Sequence, residues 1–262
     1  TMDYVQNEWN ELGIARNDST NAQQDDDLFN ILVYNTEENS TNITPGTIGY
    51  KPPKGVSGVE DPVTNIRSKE QSLVFRFEDL PPGQSVIGKK NIYESFNISN
   101  YKRLKMFIHG DHKLDILDEH LQGRKLEFIM KIGKDDKNYY EYHQPIYPFW
   151  DDGSRGEAAL NRNNLDLSIA ELSASSLEPG TIFRLDDKEG AWFRAIGRPS
   201  IRQVRYLTFA VKNVDPDPRS QPFTGEVWFN EFRVSDVDKT PGSAMRVKTV
   251  LKAADIFSVI AT

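Results

Sequence analysis

LEFIMKIGKDDKNYYEYHQP, residues 126–145, decides the fold class. Leu126, Phe128, Met130 and Ile132 recur at every second position, the period of a strand with one face turned to a core. Asp135-Asp136-Lys137-Asn138 then interrupts the run with turn formers. Residues 139–146 resume an extended, aromatic-rich pattern, so the two runs are expected to pair as a hairpin. The same period recurs on both sides. Residues 72–77 set Leu73, Phe75 and Phe77 against Val74 and Arg76, and Pro81-Pro82-Gly83 turns the chain after them. Leu104, Met106 and Ile108 share a face over residues 104–109. Residues 91–98, 184–187, 192–196, 206–211 and 226–234 read as further strands, and residues 164–172 as a short helix. In the last strand, Trp228 and Phe232 are expected on one face and Phe229 on the other, as in a strand central to its sheet. With about eight or nine strands and no βαβ rhythm, the chain is expected to be all-β, with two antiparallel sheets packed face to face.

The flanks differ from this centre. Residues 1–67 hold the acidic run Asp25-Asp26-Asp27, a Thr/Asn/Ser stretch at 39–44 and the signals Pro45-Gly46, Pro52-Pro53 and Gly55. They read as an irregular arm, either a flexible leader or a segment laid along the sandwich through Trp9, Leu12, Ile14 and Tyr50. Residues 29–34 within it are a strand or a short helix. The sandwich is expected over residues 68–240. Residues 241–262 form a tail in which Met245, Val247, Thr249 and Leu251 alternate with Arg246, Lys248, Val250 and Lys252. The pattern fits an edge strand, and it is also long enough for a strand that spans a membrane.

Composition removes several function classes. A formal net charge of −7 argues against nucleic acid, whose phosphates need a basic stripe. No Lys/Arg block marks a helix lying on a membrane. Zero cysteines exclude disulfides, zinc–thiolate sites and cysteine nucleophiles. No run of 18 apolar residues offers a spanning helix. Residues 1–20 are polar where a signal peptide would be apolar, so the chain reads as a segment of a longer protein.

Candidate chemistry is sparse. Asp111, Asp115 and Asp118, with Glu119, gather carboxylates in one loop and are the candidate ligands of a structural calcium ion, which takes six to eight oxygens from such loops. No other cofactor is expected. The four histidines, His109, His112, His120 and His143, lack the spacing of a zinc site. Asp151-Asp152 point to opposite sides if extended, so they make a poor acid pair for a glycosidase. No nucleophile elbow, phosphate loop or dinucleotide glycine pattern occurs, and no enzymatic activity is expected. Aromatic residues crowd residues 139–150. Tyr140, Tyr142, Tyr147 and Trp150 are the candidate binding residues if exposed, because aromatic faces stack on sugars and anchor protein partners. Core packing is the competing reading for alternate positions of a strand.

Six stretches in order carry a resemblance: KPPKG from Lys51, KEQSL from Lys69, YKRLKMFIHGD from Tyr101, NYYEYHQP from Asn138, RPSIRQVRYLTFAVKN from Arg198 and GEVWFNEFRVSDVD from Gly225. Together they resemble the soluble segments of the SprA/Sov family, the large cell-surface proteins of gliding motility and type IX secretion. The resemblance covers residues 45–262, and residues 1–44 match nothing in it. It implies a non-catalytic soluble module of a large outer-membrane protein translocon, acting by capping or by docking partners. Implied partners are other secretion-machinery proteins, secreted cargo and the remainder of its own barrel, with no direct membrane contact by the sandwich. Implied localisation is the outer membrane or cell surface, the module facing outward rather than to the periplasm. The tail would then begin a return into barrel strands. The YKRLKMFIHGD strand and the late acidic strand are also similar to the galactose-binding-like jelly roll, which gives the expected sandwich its type and carbohydrate binding as the alternative function.

Overall fold

The computed structural model describes residues 9–15, 28–37, 39, 49–56, 65, 69–111, 114, 126–148, 162–215, 217–237, 249–253 and 257–261. Among these, the strands are β1 (Asn10–Ala15), β2 (Phe29–Asn35), β3 (Gln71–Leu80), β4 (Ser85–Phe96), β5 (Tyr101–His109), β6 (Leu126–Asp135), β7 (Asn138–Pro145), β8 (Leu165–Ser168), β9 (Phe183–Arg184), β10 (Trp192–Ile196), β11 (Val204–Asn213), β12 (Phe223–Val237), β13 (Thr249–Ala253) and β14 (Phe257–Ala261), with one helix, α1 (Ile169–Ala174). A seven-stranded sheet runs β1-β4-β11-β6-β7-β10-β9 and a five-stranded sheet runs β2-β3-β12-β5-β8. The ladders between these strands are antiparallel, and the two sheets form the expected sandwich.

The core follows from the period-two runs. Phe75 and Phe77 of β3, Leu104, Met106 and Ile108 of β5, Phe128 and Met130 of β6, Phe209 of β11 and Phe229 of β12 meet in one buried cluster between the sheets. Each such side chain contributes roughly 1.5–3 kcal/mol by leaving water. Phe75 sits at the centre, edge-on to Phe29 at 5.2 Å and to Phe229 at 5.1 Å. It reaches across the sandwich to Gly88 of β4, where an added Cβ would run into its ring. Glycine at 88 is what lets the sheets close at this point.

The stretch read as an arm supplies an edge strand to each sheet: β1 pairs with β4 and β2 with β3. The indole of Trp9 lies 5.1 Å from the Phe209 ring, against the core. The Glu11 carboxylate accepts from the Ile31 amide at 2.6 Å, a charged side chain turned onto the edge of β2.

Several details differ from the sequence reading. Phe232 does not share a face with Trp228. Between Asn230 and Arg233, β12 carries one residue more than β5, and Glu231 there has φ +50°. That bulge reverses the alternation, and Phe232 packs edge-on against Phe209, 5.5 Å away, on the side of Phe229. Residues 164–172 are not one helix. Leu165 and Leu167 keep a strand period and are both buried in β8. The helix begins only after Ser168, whose hydroxyl accepts from the Glu171 amide, and it buries Ile169 and Leu172. The strand read over 184–187 shrinks to β9. In the tail, β13 and β14 pair as a hairpin of two five-residue strands.

Candidate functional site

Of the aromatic residues singled out from sequence, Tyr140 and Tyr142 point inward from β7 and are each 2 % exposed. Burial raises the pKa of both phenols. Their rings belong to the core and are closed to a sugar at the surface. Tyr147 is half-buried beneath the Arg162 guanidinium, 4.1 Å from its ring centre. Trp150 lies outside the described residues, as do Asp115, Asp118, Asp151 and Asp152. Asp111 is buried at the end of β5. Its Oδ2 accepts from the Glu226 amide at 3.0 Å and abuts Gly225, so it ties β5 to β12. Among the described residues no group of three His, Cys, Asp or Glu side chains could hold a metal ion.

Among the described residues, a cleft of about 380 Å³ lies beside β8. Because β8 pairs only with Arg103–Met106 of β5, the sandwich stays open where β8 begins. Lys105, Phe107, Arg233, Asp166, Asp187 and Lys188 line it, and the Tyr142 side chain reaches it from the core. Arg233 stacks over the Phe107 ring at 5.3 Å and pairs with Glu231. Asp166 takes 2.7 Å and 3.7 Å contacts from Arg103 and Lys105. A buried polar layer lies behind: the Tyr142 hydroxyl donates to Gln144 Oε1 at 2.8 Å, Lys188 donates to the same oxygen at 3.2 Å and to the Asn164 carbonyl, and Gln144 Nε2 donates to the Asn163 carbonyl at 2.9 Å. Both Gln144 and Asn163 are fully buried. The cleft thus has a hydrogen-bonded back and a charged rim with an Arg–aromatic pair.

The sequence does not reveal this cleft, since residues 105, 142, 166 and 233 come from four separate strands and residue 188 from the β9–β10 connection. The one local signal was Phe107 and Arg233 on the polar face of strands whose other faces are apolar.

Each sheet also carries a histidine stacked on a tryptophan on its outer face. On the seven-stranded sheet, His143 stacks on Trp192 at 3.8 Å. Its Nδ1 lies 3.0 Å from Glu127 and its Nε2 3.5 Å from Glu141. Lys131, Glu141 and Arg194 stand opposite one another on β6, β7 and β10, and Arg194 binds Glu141 at 2.6 Å. Burial alone would raise the Glu141 pKa, but His143, Lys131 and Arg194 outweigh it and hold it at about 2. Burial likewise opposes a charge on His143, and Glu127 and Glu141 reverse this and raise its pKa. On the five-stranded sheet, His109 stacks on Trp228 at 4.0 Å beside Tyr34, Tyr50 and Val74. The Tyr50 hydroxyl accepts from Ser72 at 3.1 Å and from Asn230 at 2.8 Å, which fixes Tyr50 over the outer face.

The described residues thus define an all-β sandwich with a charged cleft beside β8 and a histidine–tryptophan stack on the outer face of each sheet. The chain belongs to the SprA N-terminal family, described as motility related/secretion protein, which matches residues 1–262. The match includes residues 1–44, where the resemblance read from the sequence found no counterpart. No curated protein matches the chain.

Proposed function

We propose that this chain is a non-catalytic docking module of a cell-envelope secretion and motility protein, and that the cleft beside β8 receives an extended segment of a secretion-machinery partner or of secreted cargo. The observation that carries this reading is the pairing of Arg233 with Phe107 at the rim of a cleft whose back holds the Tyr142–Gln144–Lys188 hydrogen bonds. Arginine and aromatic side chains dominate the energetics of protein contacts, and a rigid site loses little freedom on binding. The parent is proposed to be the outer-membrane translocon of type IX secretion, with this module at the cell surface. Family membership supports the secretion role. The strand order β3-β12-β5-β8 against β4-β11-β6-β7 supports reading the sandwich as a jelly roll.

The test is Arg233→Glu with Lys105→Glu in the full-length protein, scored for secretion and gliding. Both positions are partly exposed, so the fold should survive. Loss of secretion with normal protein level supports docking at the cleft. Normal secretion removes the cleft from the function.

A further inference from the structure

No further inference is drawn: the strongest candidate, the surface patch at the end of the sandwich where the exposed Tyr93 and Phe96 of β4 project, carries exposed charges of both signs, Arg198, Arg202 and Arg205 with Glu94 and Asp136, and nothing in the structure shows what covers it.

Discussion

The two histidine–tryptophan stacks have nearly the same geometry, 3.8 Å and 13° for His143 on Trp192, 4.0 Å and 10° for His109 on Trp228. Their surroundings differ. The first lies in a lattice of charges, with Glu127, Glu141, Lys131 and Arg194 around it. The second lies among Tyr34, Tyr50 and Val74, with the Trp228 indole donating to Glu226 at 3.0 Å. A stacked ring pair can thus be held on the outside of a sheet either by ionic cross-strand neighbours or by a small satellite core. The two solutions should respond differently to mutation and to pH.

The largest difference should come from the tryptophans. Trp228 is 2 % exposed, so Trp228→Ala should cost about 3–5 kcal/mol in urea denaturation. Trp192 is half-buried, and Trp192→Ala should cost about 1–2 kcal/mol. Equal losses would mean that the satellite core adds nothing to the stack. Next in size is Glu141→Gln, which leaves Arg194 without its partner and should cost on the order of 2–3 kcal/mol near neutral pH.

Acid titration sharpens the contrast. The folded pKa of Glu141, about 2, lies below its ordinary 4.5, so its contribution is present above pH 4.5 and fades as pH falls toward 2. His143 has the opposite sign. Its pKa is raised from 6.5, so its contribution is complete below pH 6.5 and is lost as pH rises through the higher folded value. His143→Gln should flatten the alkaline side of the stability profile, and Glu141→Gln the acid side. A wild-type profile flat on both sides would contradict the ionic reading of this face. The smallest effect is expected for Tyr50→Phe, which loses the bonds from Ser72 and Asn230 while keeping the ring, at about 1 kcal/mol.

The sandwich was legible because its strands keep period two: Leu126, Phe128, Met130 and Ile132 all reach the core, as do Phe75 and Phe77. Legibility failed where one residue breaks the period. The bulge at Glu231 is invisible in EVWFNEFRV because nothing in that composition requires an extra residue there. Residues 164–172 were misread because the strand period of Leu165 and Leu167 passes within two residues into the helical spacing of Ile169 and Leu172. Tyr140 and Tyr142 illustrate a different limit. Their alternation fixes that they share a face with each other, while which face is buried depends on the opposing sheet. The cleft was beyond reach for a related reason, since its lining is gathered from separate strands and a connection.

The most direct test of docking at the cleft is site-specific photo-cross-linking in the full-length protein from position 107, with the exposed position 54 as control. A secretion component or cargo protein should be captured from 107 and not from 54, and the adduct should vanish with Arg233→Glu. Adducts that are the same from both positions, or that persist in the Arg233→Glu protein, would contradict the account.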